Sequence, residues 1–518
     1  MMKQAIFACT FESFCPSNLG MRTDSKPHSF KGTARSARKQ RTKRQRQSAQ
    51  RKPKPCGKPA NSPKKPKGNS RPPRFELQDS HGFVSAFLAR VGLGALNDLA
   101  KIRNHNAGAP PRELSRAELL VGLVFHYTTH LAGGFAEHLL LFGITMTGSN
   151  LSERRQATPW QVFTDLMKLF LKPVATKEKH PEAFYNGLLL TAMDASEFSL
   201  TNTEDIKKKV TKADSRRGKA AFAKVRCSVL LELFGHNPLA ARIGKEGQSE
   251  WVLSLSLLEQ LPQKALVLVD RLYGCAAFVV KLMKALEARG GHFLVRVRSS
   301  IKVLAIKKKL KDGSRIVEVA VRKKGSRQIV DTIVVREIVV KAQRKGMRPV
   351  TVRLWTSLLD PKTSPAEELA RLYMKRWEQE LYFRELKHQM MTGDLLKSQM
   401  LETACQEVAA MIMGTALVAG ERAQLEPGQE LETRISFIKT WQYLEPLWAV
   451  LLAAGDLLTD KQKEKLVDRF RWIIGQLRTP KKRKRSCPRA VMQPVRKWPR
   501  KRDQQCFQGE IKISVLKN

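Results

Sequence analysis

The hydrophobic positions from Gly187 onward fall in short runs bounded by turn residues, which is typical of buried β-strands. The first three runs are GLLLTAMDAS, VRCSVLLEL and PLAARIG. A helical pattern near residues 249–261 follows, then the run ALVLVD, a second helical pattern over 275–289 and the run HFLVRVR. This order of three strands, a helix, a strand, a helix and a strand predicts a mixed α/β sheet.

The same order is that of a ribonuclease H-like core, whose first part we place at residues 181–298. Residues 299–356 then show several more strand patterns, IKVLAI, RIVEVAV, IVDTIVVREIVV and RPVTVRLWTS, joined by Lys-rich turns. We interpret them as a β-rich insertion that interrupts the core before its last helix, which we place at residues 357–397.

That last helix begins in the stretch SPAEELARLYMKRWEQELYFRELK. Ser364 as the cap, Pro365 at the first helical position and Glu367 three residues after the cap form the pattern of a capping box. At about 100° per residue, five polar side chains of this helix share an arc of about 80°. They are Tyr373, Arg376, Glu380, Arg384 and Lys387. A solvated salt-bridge face is the alternative explanation of such a row.

Helical patterns flank the core on both sides. The helical pattern of residues 76–180 predicts a helical DNA-binding domain, in which Ser115 and Glu118 form a second capping box. Residues 398–478 predict a helical C-terminal domain. Its helices are expected at about 398–424, 430–454 and 460–478.

A turn at Gly148 followed by Arg154 and Arg155 would suit a helix-turn-helix-like reader of DNA. Ordinary helix packing explains this pattern at least as often.

Two histidines one helical turn apart, His126 and His130, have the spacing of a zinc-binding pair. The first is not followed by Glu, and the helix around them is apolar. We therefore interpret both as core histidines.

The charge of the chain points to a polyanionic partner. The 518 residues carry a formal net charge of +47. Residues 31–74 contain 17 Lys or Arg and no acid, and residues 480–502 contain 11 and no acid. We expect residues 1–75 to be a basic disordered segment and residues 479–518 a basic tail, both attracted to the phosphates of nucleic acid.

Eight cysteines are scattered without a CxxC pair, which indicates a reducing compartment and no structural metal. The longest apolar runs, Val408 to Gly420 and Leu447 to Gly455, are shorter than the roughly 20 residues that a spanning helix needs, so we expect no membrane contact. The first residues lack a continuous apolar core, so we expect no secretory signal. An organellar transit peptide is the open alternative for the Arg- and Ser-rich start.

Three acidic residues are placed where they could meet. Asp194 is expected at the end of the first core strand, Asp270 at the end of the fourth, and Glu380 on the last helix. Those two strands are neighbours in a ribonuclease H-like sheet. Clustered carboxylates repel one another unless cations neutralise them. Oxygen-only ligation favours Mg²⁺, with Mn²⁺ as a substitute, and two such ions could carry out an in-line phosphodiester displacement.

The spacing Tyr373, Arg376, Glu380, Lys387 is the complete Y-R-E-K signature, and the chain resembles the DDE transposases of insertion-sequence family four. The resemblance covers roughly residues 85–502. It includes VLVDRLYG, which contains Arg271 and Tyr273 beside Asp270, and the tail RSCPRAVMQPVRKWPRK.

The resemblance implies that Asp194, Asp270 and Glu380 form the catalytic, metal-binding triad. It implies that Tyr373, Arg376 and Lys387 hold the phosphates of the transposon end, and we add Arg384, Arg271 and Tyr273 as further DNA-binding candidates. The chain departs from its relatives in two places. Ala195-Ser196 follows the first Asp where relatives often have Gly-Thr, and Val352 stands where some relatives stack a flipped base on Trp, the nearest Trp being Trp355. The base-flipping residue is therefore left open.

The function so predicted is cut-and-paste transposition: metal-dependent cleavage and strand transfer of double-stranded DNA at inverted terminal repeats, by a homodimer in the DNA complex, in the nucleoid of the bacterial cytoplasm. A domesticated or inactive relative that only binds DNA is the main alternative. A basic RNA-binding structural protein would explain the charge but not the three acidic residues.

Overall fold

The computed structural model describes residue 77 and residues 81–101, 114–215, 218–245, 248–323, 325–343, 349–391, 393–425, 434–479, 485–486, 507–508 and 512–516. The basic segment predicted for residues 1–75 and most of the basic tail predicted for residues 479–518 lie outside these ranges.

Among the described residues, six α-helices precede the sheet. They are α1 (Gly82–Val91), α2 (Leu93–Lys101), α3 (Arg116–Thr128), α4 (Phe135–Leu140), α5 (Gly148–Gln156) and α6 (Trp160–Phe170). The capping box predicted at the start of α3 is confirmed: the Glu118 N–H donates to Ser115 Oγ, and the Ser115 N–H donates to the Glu118 carboxylate.

The arginines of α5 make contacts inside the protein. Arg154 donates to the carbonyl oxygen of Leu114, and Arg155 donates to Ser398 Oγ and to the carbonyl oxygen of Thr403. These contacts connect α5 to α3 and to the C-terminal helices, which favours the packing explanation of this segment over a DNA-reading one.

The two histidines of the α3 region have different surroundings. His126 is half-buried, with Nδ1 3.0 Å from Nδ1 of His138, and burial lowers the pKa of His126 to about 3. His130 is exposed, contrary to its prediction as a core residue; its ring packs on Trp441 and its Nε2 lies 3.2 Å from the Met390 carbonyl oxygen.

The predicted mixed α/β architecture is confirmed. The strands are β1 (Phe184–Tyr185), β2 (Leu188–Ser199), β3 (Asp214–Ser215), β4 (Gly218–Lys219), β5 (Lys224–Glu232), β6 (Asn237–Lys245), β7 (Ala265–Val269), β8 (His292–Val297), β9 (Ala305–Lys309), β10 (Arg315–Arg322), β11 (Ile329–Gln343), β12 (Val350–Thr356), β13 (Arg485–Ser486), β14 (Phe507–Gln508) and β15 (Lys512–Val515). The helices between them are α7 (Glu204–Lys209), α8 (Glu250–Leu255) and α9 (Ala276–Glu287).

The main sheet has the order β6-β5-β2-β7-β8-β12-β11-β10-β9, with β1 on β2 and β15 on β11. Strand β5 runs antiparallel to β2 and β6, whereas β7 runs parallel to β2 and β8 runs parallel to β7. The five core strands therefore stand in the order third, second, first, fourth, fifth. This order places β2 beside β7, as the sequence pattern predicted.

The strands of residues 299–356 extend this same sheet. Strand β12 pairs antiparallel with β8, and β11, β10 and β9 follow outward. Val319 and Trp355 from these strands belong to the same buried cluster as Val267 and Phe278. One hydrophobic core thus lies under both parts of the sheet. The two parts are continuous because β12 pairs with β8.

Helices α10 (Ala366–Tyr373), α11 (Trp377–Glu385), α12 (Leu401–Leu425), α13 (Phe437–Ala454) and α14 (Asp460–Gly475) complete the described chain. Helix α12 packs against α3, α6, α13 and β6. Its length and composition would allow it to cross a membrane, but 89% of its most apolar window is buried inside the protein. Its apolar surface is therefore covered by neighbouring helices and strands.

Candidate active site

The polar segment that follows the sheet is less regular than predicted. Helix α10 is followed by a 3₁₀ turn (Met374–Arg376), then α11, then a π-helical turn (Leu386–Met390). The predicted capping box at its start is wrong. The helix begins at Ala366, whose N–H donates to Asp312 Oδ2 at 3.0 Å, and Ser364 is buried with its carbonyl oxygen accepting from Arg336.

Two acidic residues are brought together by the pairing of β2 with β7. Met193 is opposite Val269 at the end of this parallel ladder, so Asp194 and Asp270 are the next residues on the two strands. Neighbouring strands lie about 4.8 Å apart. Asp270 directly follows β7, as predicted, but Asp194 lies within β2, which continues to Ser199 and pairs there with β5.

Arg376 joins these strands to α11. Its Nη2 lies 2.9 Å from Glu380 Oε1 and its Nη1 lies 3.6 Å from Asp194 Oδ2. Only 7% of the Arg376 side chain is exposed, against 21% for Asp194 and 27% for Glu380. The carboxylates from β2 and α11 therefore converge on one guanidinium, with Asp270 among its electrostatic neighbours.

The electrostatics of this cluster reflect both burial and crowding. Burial raises the pKa of Asp194 to about 8, with Glu250 and Asp270 adding to the rise and Arg376 opposing it. Burial likewise raises the pKa of Glu380. Burial acts to lower the pKa of Arg376, but Tyr373 and the surrounding carboxylates outweigh it, so that pKa is raised. Three carboxyl groups share one arginine here, so full ionisation of all three would need further positive charge, which bound cations can supply.

Tyr373 binds the end of β7, directly before Asp270. Its hydroxyl donates to the carbonyl oxygen of Val269 at 3.2 Å, and burial raises its pKa. It thereby ties α10 to the residue that precedes Asp270.

Lys387 contacts β2 beyond Asp194. Its Nζ lies 5.3 Å from the ring centre of Phe198, and burial lowers its pKa. Phe198 is four residues beyond Asp194 on β2, about 13 Å along the strand. The 3₁₀ and π-helical turns break the 100° periodicity on which the predicted common arc rested, so a single arc does not describe this segment.

The remaining DNA-binding candidates differ in exposure. Arg271 is half-buried, and burial together with Arg296 lowers its pKa. Arg384 is half-buried. Tyr273 is fully buried, and its hydroxyl donates to Glu250 Oε1 at 2.6 Å. The structure corrects the prediction for Tyr273, because its side chain belongs to the core and does not reach a DNA-accessible surface.

The sequence reasoning missed Glu250, the first residue of α8. Burial raises the pKa of Glu250, and the charge of Glu250 adds to the burial that raises the pKa of Asp194. The available signal was Ser249 directly before it, whose Oγ accepts from the Val252 N–H as a helix cap. An acidic residue in the first helical turn is common for reasons of the helix dipole alone, so this signal did not single out Glu250.

The residues can also be compared with the needs of a metal ion. Within the described ranges, no three His, Cys, Asp or Glu side chains are gathered closely enough to hold one metal ion. The donor atoms of Asp194, Asp270 and Glu380 are all carboxylate oxygens, which are the ligands that Mg²⁺ and Mn²⁺ prefer. The donor set thus fits these ions in chemistry, and the guanidinium of Arg376 stands among its members.

The tryptophan nearest to the expected base-flipping position is not at the surface. Trp355 is fully buried and its Nε1 donates to Glu337 at 3.0 Å. Val352 is buried as well. Neither side chain is placed to stack on an exposed base.

Comparison with known proteins shows similarity to transposases. The family described as "Transposase DDE domain" matches residues 185–416. The transposase InsG for insertion sequence element IS4 of Escherichia coli (strain K12) is 25% identical over 338 residues, covering 62% of this chain and 71% of the relative. A piggyBac transposase in a synaptic complex with hairpin DNA has a TM-score of 0.39 and 9% sequence identity, covering 75% of this chain and 84% of that one.

Proposed function

We propose, from the premise that this chain belongs to the DDE transposases of insertion-sequence family four, that it cleaves DNA at inverted terminal repeats and joins the freed strand to a new target. The observation that carries this proposal is the convergence of Asp194 and Glu380 on Arg376, with Asp270 next to Asp194 across the β2–β7 ladder. These residues come from separate parts of the chain, and ordinary packing does not require buried carboxylates to be neighbours.

Asp194, Asp270 and Glu380 would hold Mg²⁺ or Mn²⁺, which supplies an activated water or 3′-hydroxyl and stabilises the leaving oxygen of a phosphodiester. Arg376 balances part of the carboxylate charge and keeps Asp194 and Glu380 together. Tyr373 holds the end of β7 in place. These contacts pre-position the acidic groups before DNA arrives.

The proposed partner is double-stranded DNA. The net charge of +47 supplies long-range attraction to the phosphates. Arg271, Arg384 and Lys387 are the proposed phosphate contacts, with Arg271 directly after Asp270 and Lys387 beside Phe198 on β2. We further propose a homodimer in the DNA complex and an association with the bacterial nucleoid in the cytoplasm.

The test is DNA cleavage by Asp194→Ala, Asp270→Ala and Glu380→Ala in the presence of Mg²⁺, using a duplex that carries the DNA bordering the gene. Each variant should lose cleavage, because each removes a metal-binding carboxylate. Gel-shift affinity should be retained or increased, since a negative charge near the phosphates is removed. Asp331→Ala, an exposed acid in β11, is the matched control and should cleave normally.

Normal cleavage by one of the three variants would remove that residue from the triad. A wild-type chain that binds the duplex but does not cleave it with Mg²⁺ or Mn²⁺ would instead identify a relative that only binds DNA.

A further inference from the structure

We propose that His236 is a positioning residue for Glu380, which it holds in place by binding two other carboxylates on the opposite side of α11. This inference rests on the proposed function. It assigns a role to the turn between β5 and β6, which contributes none of the three acidic positions.

The ring of His236 lies between two carboxylates of α11. Its Nδ1 is 2.6 Å from Glu385 Oε2, and its Nε2 is 2.9 Å from Glu378 Oε2. The ring is fully buried, and the side chains of Glu378 and Glu385 are only 10% and 12% exposed. His236 thus joins both the first and the last turn of α11 to the sheet.

The two bound carboxylates share one side of α11, and Glu380 lies on the other side. Residues Trp377–Glu385 form one uninterrupted α-helix. Glu378 and Glu385 are seven residues apart, which is about 20° short of two full turns, whereas Glu380 is about 200° from Glu378. The rotation of α11 and its position along the sheet are therefore fixed from behind, while Glu380 faces Arg376.

The charges around His236 are matched. Burial acts to raise the pKa of Glu385, but the charge of His236 outweighs it and that pKa is lowered. Ionised carboxylates only accept hydrogen bonds, so both ring nitrogens donate and His236 is an imidazolium. Arg434 Nη2 lies 2.7 Å from the same Glu378 oxygen and 3.1 Å from His236 Nε2, as expected for two donors on one acceptor. Loss of one partner would leave a buried charge unpaired, which favours this single arrangement.

The turn that carries His236 is itself held by the C-terminal part of the chain. His236 has a left-handed backbone, with φ of 52°. The carbonyl oxygen of Phe234 accepts from Arg434 Nη1 at 3.3 Å, and that of Gly235 accepts from Arg422. Arg422 belongs to α12 and Arg434 precedes α13. The turn is therefore a fixed point from which His236 can set the position of α11.

A purely structural role for His236 would predict a different outcome. Its loss would lower stability but leave the chemistry of the folded molecules unchanged. The discriminating substitution is His236→Asn, which removes both contacts and suits the left-handed backbone that Asn tolerates. Glu385→Ala removes one contact, whereas Glu385→Gln keeps an amide oxygen that can accept from His236 Nδ1.

His180 provides a matched control, because it is a buried histidine beside the same turn. It is 2% exposed, and its ring packs on Phe234. Its Nδ1 accepts from the Thr176 N–H at 3.2 Å, and its Nε2 lies 2.9 Å from the carbonyl oxygen of Ala423. These partners are main-chain groups outside α11. His180→Asn should therefore lower thermal stability without changing kcat.

The experiment measures kcat and KM for Mg²⁺-dependent cleavage, Mn²⁺ binding by calorimetry without DNA, gel-shift affinity and thermal stability, with cleavage assayed where every variant is folded. His236→Asn should lower kcat about tenfold to a hundredfold, because misplacing a reacting group by about 1 Å can cost about a hundredfold. Mn²⁺ binding should weaken about tenfold, as it does when the support of a metal ligand is lost. KM and gel-shift affinity should stay near the wild-type values. Glu385→Ala should lose less, and Glu385→Gln should recover most of that loss.

Wild-type kcat and Mn²⁺ affinity in a folded His236→Asn variant would overturn the inference. An equal fall of kcat in His180→Asn would do the same, because general loosening of the fold would then be the cause. So would a Glu385→Gln variant as impaired as Glu385→Ala, since the role would then be charge and not position. If His236→Asn does not fold, a folded Glu385→Ala variant with wild-type kcat and Mn²⁺ affinity also overturns it. Failure of the proposed function itself is recognised separately, by a wild-type chain that does not cleave.

Discussion

At the scale of single residues, Arg376 is the side chain on which two carboxyl groups of the proposed site converge. It is nearly buried, and it faces Asp194 and Glu380, which are only partly exposed. The family resemblance implied a phosphate contact for Arg376, and in the structure its guanidinium lies against the carboxyl groups of Asp194 and Glu380. An exposed ion pair contributes little to stability, whereas a buried pair becomes costly when one partner is removed.

Arg376→Ala should therefore lower the free energy of unfolding by about 2–3 kcal/mol, somewhat below the range for fully buried pairs because the carboxylates retain some solvent. Chemical denaturation measures this change. Arg371→Ala is the matched control, since Arg371 pairs with Glu367 with both side chains more than half exposed, and should change stability by at most about 0.5 kcal/mol. Equal losses in the two variants would show that Arg376 is not holding the carboxylates.

At the scale of elements, the start of α10 is determined by a distant turn. Asp312, between β9 and β10, accepts the N–H of Ala366 and pairs with the fully buried Arg336, which in turn donates to the carbonyl oxygen of Ser364. The strands of residues 299–356 thus hold the beginning of the segment that carries Glu380.

Asp312→Ala should lower the free energy of unfolding by about 2 kcal/mol, because it removes a helix cap and the partner of a buried arginine. Burial acts to raise the pKa of Asp312, but hydrogen bonds from Ser314 and Ala366 outweigh it and hold that pKa below its ordinary value of 3.8. A carboxyl group with a lowered pKa stabilises the fold above its ordinary value and loses this effect as the pH falls through the folded pKa.

The difference between wild type and Asp312→Ala should consequently be constant from neutral pH to about pH 5 and shrink below about pH 4. Denaturation at several pH values measures it, with Asp331→Ala as an exposed control. A difference that grows as the pH falls would contradict the assignment.

At the scale of the whole molecule, net charge and fold have separate roles. Residues 31–74 and 480–502 carry 17 and 11 positive charges of the net +47, whereas the acidic cluster lies in the sheet and the segment after it. Contacts with the DNA backbone release counterions without reading base sequence.

Deletion of residues 1–74 should reduce the slope of log affinity against log salt concentration by several units, at about 0.9 for each phosphate that the shortened chain no longer neutralises. Preference for the DNA bordering the gene over random DNA should persist. Competition binding at several salt concentrations tests both statements, and disappearance of the preference would place sequence recognition in the deleted segment.

The sequence alone predicted the features of this protein that depend on neighbouring residues in the chain. Short apolar runs predicted the five core strands, and helical patterns between them predicted the helices. Such patterns are local, because a buried strand needs apolar side chains along its own length. The capping box of Ser115 and Glu118 was predictable for the same reason, since both partners lie within one helical turn. The spacing of Tyr373, Arg376, Glu380 and Lys387 indicated the resemblance to DDE transposases without any tertiary contact.

Only the tertiary structure decided which groups meet across the chain. The register of β2 on β7 placed Asp194 beside Asp270, and no local pattern encodes that register. Packing also placed Glu250 within electrostatic range of Asp194 and buried Tyr273, although each is an ordinary residue in its own segment. The acidic positions could be predicted because each stands at a recognisable place in its own segment. The burial of Tyr273 could not, because it depends on elements that are far apart in sequence.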